Sequence, residues 1–223
     1  MSIKTSIAVL FAAGLATACA PLQGGGDLAA PGTPAVSGLV TSAGVQYPLP
    51  RGEWQPVLTL TNDAGTVEVL ADITAGVISR VAILGDGGGG VDPCASDADT
   101  LAAAAAAPGD CWQVRPVTVS AGGLGGAVSN GLIAFAEREG AFLPRVLLGA
   151  AIEGPLGPTP VARYGFYWNP DILAPAPGTR TWTAQDWSPV AVAGDPARQI
   201  VADRVAGWAA RWRDRLLTGA AAS

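Results

Sequence analysis

The sequence predicts an α+β domain in which a mostly antiparallel sheet packs against a central helix and a C-terminal helix. Three observations carry this prediction. From Val36 to Leu84, short runs rich in Val, Leu, Ile and Thr are separated by turn residues rather than by helix-length segments, which favours antiparallel neighbours over parallel crossovers. Two later segments, Ala127 to Glu139 and the stretch after Asp195-Pro196, repeat apolar residues every three or four positions, the period of a helix with one buried face. The chain is 223 residues long and 49% hydrophobic, and without its N-terminal leader it keeps the length and apolar content of one core. Residues 36–223 are therefore expected to form a single globular domain.

The leader precedes that domain. Lys4 is followed by an uncharged apolar run from Ile7 to Ala18 that ends in small residues, the pattern of a secretory signal. As a helix the run would reach about 18 Å, against about 30 Å of hydrocarbon core, so it is too short for a permanent span. The segment Leu15-Ala16-Thr17-Ala18-Cys19 resembles the lipobox of bacterial lipoproteins. That resemblance implies that residues 1–18 are a signal peptide, and that Cys19 is lipidated and becomes the mature N-terminus. Ala16 departs from the family pattern, which favours leucine three places before the cysteine. Ala16-Thr17-Ala18 also has the form of an ordinary A-x-A cleavage site. Cysteine parity favours lipidation: of three cysteines, Cys94 and Cys111 are close enough to pair in an oxidising compartment, which leaves Cys19 over. Two acyl chains, at about 0.8 kcal/mol per buried methylene, would hold the protein on a membrane. Ala20 is not the aspartate associated with inner-membrane retention, so the resemblance points to the outer membrane, facing the periplasm.

Taken in order, Ala20 to Ala35 is rich in Gly, Pro and Ala without apolar periodicity. With Cys19 it reads as a flexible tether, residues 19–35, spanning about 20 Å as a coil. The alternation at Val57 to Asn62, the turn at Asn62 to Gly65 and the return at Thr66 to Leu70 read as a β-hairpin. Asp72 to Gly76 then turns the chain into a strand at Val77 to Leu84. Gly85 to Asp99 is glycine-rich, but Val91-Asp92-Pro93 stands where a dinucleotide loop would open a helix, and its aspartates lack the EF-hand frame. The segment between Cys94 and Cys111 contains an alanine tract, Asp97 to Ala107, that favours helix. A Cys94–Cys111 disulfide would staple this loop, contributing about 3 kcal/mol by the chain-entropy argument.

Trp112 to Val119 reads as a strand and Gly122 to Gly126 as a turn. The helix from Ala127 to Glu139 buries Val128, Leu132, Phe135 and Ala136 and stops at Gly140. Arg145 to Ile152 and Pro160 to Trp168 read as paired strands, the second placing Tyr164, Phe166 and Trp168 on one face and Gly165 and Tyr167 on the other. The proline-rich passage from Ile172 to Pro189 carries Trp182 and Trp187 and is too long for an unpacked connection. Asp195-Pro196 starts the last helix, whose stripe is Val201, Val205, Trp208, Trp212 and Leu216.

Composition excludes much chemistry. The chain has no histidine, and Lys4 is its only lysine. A histidine-based triad, a histidine-ligated metal, a Schiff-base lysine and a Walker-type lysine are thus absent from the mature chain. Eighteen acidic residues outnumber 13 basic ones, and no basic stretch stands out before the C-terminal helix, so nucleic acid is not an expected partner. Glu137 and Glu139 lie on different sides of their helix, and Ser129 lacks a nucleophile frame. Glu53, Glu153, Asp171 and Asp186 are the acids open to a carboxylate-only hydrolase, but no spacing pairs them. No catalytic residue, metal ligand or cofactor is therefore assigned. The expectation is a non-enzymatic lipoprotein of the cell envelope that binds a protein partner or serves structurally. The alternative is a carrier or sensor of an apolar or sugar-like ligand, with Trp168, Trp182 and Trp187 rimming its pocket.

Late in the chain, EREGAFLP at Glu137 to Pro144, YGFYWNP at Tyr164 to Pro170, Trp187, and Asp195-Pro196-Ala197-Arg198 leading to Trp208 and Trp212 resemble a group of exported proteobacterial proteins. The likeness covers about the last 90 residues and rests on packing residues. It implies export and no particular activity.

Overall fold

A computed structural model describes residues 26–63, 65–85, 92–95, 97–107, 109–156, 159–174 and 181–218; the leader and Cys19 lie outside them. The strands are β1 (Gly26–Leu28), β2 (Leu39–Ser42), β3 (Val45–Pro48), β4 (Gln55–Asn62), β5 (Gly65–Thr74), β6 (Val77–Leu84), β7 (Ala102–Ala107) and β8 (Asp110–Thr118). Helix α1 (Gly126–Glu139) follows, then β9 (Val146–Leu156), β10 (Thr159–Trp168), α2 (Pro170–Leu173), a 3₁₀ turn at Ala184–Trp187, α3 (Pro189–Ala193) and α4 (Pro196–Thr218). The result is the α+β class with a mostly antiparallel sheet.

Eight strands form one sheet in the order β1-β4-β5-β6-β10-β9-β8-β7, while β2 and β3 pair separately. Every neighbouring pair in the large sheet is antiparallel. A meander of β4 to β6 meets a second half built of hairpins β7–β8 and β9–β10, with β6 beside β10. Short connections join β4 to β5, β5 to β6, β7 to β8 and β9 to β10, and such connections leave no room for the crossover a parallel pair needs, while α1 carries the chain from β8 to β9.

The two-residue alternation of strand side chains separates the core into two sides of the sheet. Val67, Val69 and Ala71 of β5, Val81 and Ile83 of β6, and Tyr167 of β10 form one cluster with Val128, Leu132, Phe135 and Ala136 of α1. Leu70, Ala82, Leu84, Tyr164 and Phe166 turn the other way and cluster with Trp212 and Leu216 of α4. Val205 and Ala209 of α4 join Val114 and Ala150, and Val201 and Ala202 join Val146, Leu148, Trp182 and Trp187.

The helix ends are set by local chemistry. Gly140 adopts the left-handed conformation (φ 62°) and donates its N–H back to Ala136 and Glu137, closing α1 as a C-terminal glycine does. The Asp195 carboxylate accepts from the N–H groups of Ala197 and Arg198 at 2.9 and 3.3 Å, satisfying donors that the first turn of α4 leaves unpaired.

Three expectations are corrected. The alanine tract is not helical: residues 102–107 form edge strand β7, with Ala102 opposite Val114 and Ala105 opposite Cys111. Alanine's helix propensity is a weak preference, whereas a helix here would leave the outer edge of β8 unpaired. The tether expected over residues 19–35 is docked in its second half: Gly26–Leu28 pair with β4, and the Ala29 N–H donates to the Val57 carbonyl at 2.9 Å. Finally, β9 runs through Glu153 to Leu156, so the residues read as a connection after Ile152 extend the ladder instead.

Candidate functional site

The surface best suited to a partner is built where α1 ends. After Gly140, residues 141–145 cross the end of the sheet as a fixed ridge. The Phe142 N–H donates to the Gly76 carbonyl at 2.8 Å, the Ile78 N–H donates to the Phe142 carbonyl at 2.9 Å, and Val119 donates to the Arg145 carbonyl at 2.9 Å. With its backbone held on both sides, the Phe142 side chain stands 49% exposed. Ordering the backbone in advance lowers the cost of binding.

A hollow lies on each side of this ridge. One, of about 400 Å³, is lined by Val119, Ile133, Ala136, Leu143 and Arg145 among others, and Ile133 is 43% exposed on its α1 wall. The second, of about 270 Å³, is lined by Phe142, Arg145, Pro170, Asp171 and Trp182 among others. Asp171 is positioned by the Asn169 side chain, which accepts its N–H at 2.9 Å, and partial burial pushes its carboxyl above the usual aspartate range. The pair of hollows thus combines apolar walls with one cation, Arg145, and two acids, Glu137 and Asp171, a composition suited to a protein segment or a small amphipathic ligand.

The tryptophans named from sequence are distributed differently. Trp187 is fully buried at 0% exposure and meets Trp182 edge-on at 5.3 Å, within the cluster formed with Val146, Leu148 and α4. Trp182 donates its indole N–H to the Ala174 carbonyl at 3.0 Å and, though buried, also lines the smaller hollow. Trp168 packs against Trp208 at 4.6 Å. Among the described residues these three side chains therefore do not surround one pocket. Their role in packing was open in the sequence, because an aromatic residue in a proline-rich passage fits a core and a binding wall equally well.

The candidate acids are also separated in their tasks. Glu53 is exposed, whereas Asp186 accepts from the Thr183 N–H at 2.9 Å and hydroxyl at 2.6 Å, fixing the 3₁₀ turn. Glu153 accepts from Arg163 Nε at 2.6 Å, and Asp171 lines the smaller hollow. Ser129 donates its hydroxyl to the Ser120 carbonyl at 2.9 Å and serves the entry of α1.

The Cys94–Cys111 disulfide is present, with Cα atoms 5.4 Å apart. It pins residues 92–95 onto β8. Gln113 donates to the carbonyls of Asp92 and Ala95, and Arg115 pairs with Asp97 and Asp99. A third hollow, of about 440 Å³ and mixed polarity, lies beside this loop, lined by Asp92, Asp99, Arg115, Thr118, Gln185 and Ser188 among others.

Sequence reasoning did not single out Phe142, Ile133 or Arg145. The available signal was the apolar Phe142-Leu143-Pro144 directly after a helix-stopping glycine, where polar residues are usual. Among the described residues, no helix is long and apolar enough to cross a membrane. Compared with protein-family models, curated proteins and solved structures, the chain finds no match.

Proposed function

We propose that this chain is an exported envelope lipoprotein, moored through lipidated Cys19 on the periplasmic side of the outer membrane, that works as a non-enzymatic binding module for an envelope protein. The observation that carries this reading is the ridge at residues 141–145. Phe142 and Ile133 are exposed large apolar side chains on a hydrogen-bonded scaffold, and a hollow adjoins each of them. Buried aromatic and aliphatic anchors with a nearby arginine are the groups that dominate protein–protein affinity, and Arg145 borders both hollows.

The test places a photo-crosslinking residue at Phe142, and separately at Val190, which is 84% exposed on α3. A discrete protein adduct formed in the intact envelope from position 142, absent from position 190 and lost when Ile133→Asp is added, supports the docking surface. Equal adducts from both positions, or none, overturn it. Mass spectrometry of the mature N-terminus checks the anchor, because a chain that begins after an unmodified cleavage site would carry no acylated cysteine.

A second reading follows from the smaller hollow, where Phe142, Trp182, Asp171 and Arg145 combine aromatic walls with polar groups. Such a lining suits a sugar-like ligand. Tryptophan emission that stays constant across a panel of glycans, in wild type and in a Trp187→Phe variant alike, removes this reading.

A further inference from the structure

Cys111, Glu153 and Arg163 occupy one row across three adjacent strands. Cys111 on β8 is opposite Glu153 on β9, and Glu153 is opposite Arg163 on β10. Directly opposite residues share a face, with side chains within contact range. Cys94 reaches this row from its loop, so one atom each of Cys94, Cys111 and Glu153 lie within 4.8 Å of one another.

The two oxygens of Glu153 have different surroundings. Oε2 accepts from Arg163 Nε at 2.6 Å, whereas Oε1 faces Cys94 Sγ at 3.5 Å. A disulfide sulfur bears no proton, so the oxidised chain offers Oε1 nothing to accept there, and among the described residues no other donor reaches it. Glu153 is buried, and a buried carboxylate oxygen without a donor is costly. A group that places positive charge between Oε1 and the sulfurs would remove this cost.

We infer that reduction of the Cys94–Cys111 disulfide converts this row into a binding site for a thiophilic divalent cation such as zinc, held by the two thiolates and Glu153 Oε1. Reduction by a dithiol donor transfers two electrons and two protons to the sulfurs, and the donor leaves as its own disulfide. The cation then displaces both thiol protons to water and bonds to two sulfurs and one oxygen. Two thiolates and a carboxylate carry three negative charges against the cation's two, and Arg163 supplies the balancing positive charge. Its hydrogen bond to Oε2 also orients the ligating carboxylate, as outer partners of metal ligands do.

The geometry suits the ion. Zinc bonds sulfur at about 2.3 Å and carboxylate oxygen at about 2.0–2.2 Å, so two tetrahedral thiolates stand about 3.8 Å apart. Cys111 and Glu153 are fixed by their ladder, while exposed Cys94 moves with its loop to open that distance. A fourth position, on the solvent side of Cys94, takes water. The oxidised and metal-bound forms exclude one another, which makes occupancy a readout of the redox state around the protein.

The test uses the mature chain with Cys19→Ser, so that only two thiols remain. After phosphine reduction it is titrated with Co²⁺ and then with Zn²⁺. The expected result is one Co²⁺ per chain with a thiolate-to-cobalt charge-transfer band, displaced by zinc, and no such band from the oxidised chain. Glu153→Gln should weaken zinc binding at least tenfold, and Cys94→Ser should abolish the band. A reduced chain that takes up no Co²⁺, or a Glu153→Gln variant that binds as tightly as its parent, overturns the proposal. Thermal melts cover loss of fold on reduction: zinc must raise the melting temperature of the reduced parent, and raise that of reduced Glu153→Gln by less at the same zinc concentration. A reduced parent whose melt zinc does not change also overturns it.

Discussion

The Tyr167 ring lies directly over Gly149, its partner across the β9–β10 ladder, and a Cβ added at Gly149 would stand 2.6 Å from two ring carbons. The same ring covers Gly165 two residues earlier on its own strand, so one aromatic side chain fills the space left by two glycines. Aromatic cover of this kind compensates glycine's weakness within a sheet. Gly149→Ala is therefore expected to destabilise the domain by about 1–3 kcal/mol through overpacking. In urea melts, adding Tyr167→Ala should remove most of the extra penalty, a non-additivity that independent sites would not show.

Phe142 and Ile133 are about half exposed, so Phe142→Asp and Ile133→Asp should each cost no more than about 1.5 kcal/mol, half of a full side-chain burial. Ile133→Asp should abolish the envelope adduct formed from a crosslinker at position 142, and Phe142→Asp should abolish one formed from a crosslinker at Ile133. A variant that melts early would instead assign the ridge to the core.

The Cys94–Cys111 bridge joins residues separated by 17 positions. Replacing both cysteines with alanine should lower unfolding free energy by about 3 kcal/mol. Hydrogen exchange should concentrate the loss in residues 92–107, because the bridge fastens the loop and the adjoining edge strand to β8.

Burial pushes the Glu68 carboxyl above the usual glutamate range, partly offset by the Thr59 hydroxyl, which donates to it at 2.7 Å. The folded state then holds the proton to higher pH than the unfolded state does. Stability from this group is full below the ordinary glutamate value and falls as pH rises through the folded value. Glu68→Gln lacks that loss, so its melting temperature should climb relative to wild type across this window and remain higher at neutral pH. A wild-type advantage that grew with pH would reverse the assignment.

Asp195 caps α4 through two backbone N–H groups. Asp195→Ala should cost about 1 kcal/mol, and Asp195→Ser, which restores a capping oxygen, should recover most of it in thermal melts.

Much of the fold was legible because its signals are local. The buried positions Val128, Leu132, Phe135 and Ala136, the stop at Gly140, the start at Asp195-Pro196 and the split of Tyr164, Phe166 and Trp168 from Tyr167 each depend on spacing within one element. The candidate sites were less legible. The docking role proposed for Phe142 rests on turn β5–β6 holding its backbone and Val119 holding that of Arg145, and the tryptophans divide between core and edge according to where α4 settles.

The sequence alone determined the periodicity of strands and helices, the caps, and the two cysteines available to pair, since backbone geometry converts residue spacing into local structure. Only the tertiary structure decided that an alanine-rich segment would be a strand and that Cys111, Glu153 and Arg163 would share a row. The physical reason is that strand pairing joins distant parts of the chain: the unpaired edge of β8 outweighs alanine's weak helical preference, and the register between β8, β9 and β10 brings a disulfide sulfur, an acid and a guanidinium together that no local pattern relates.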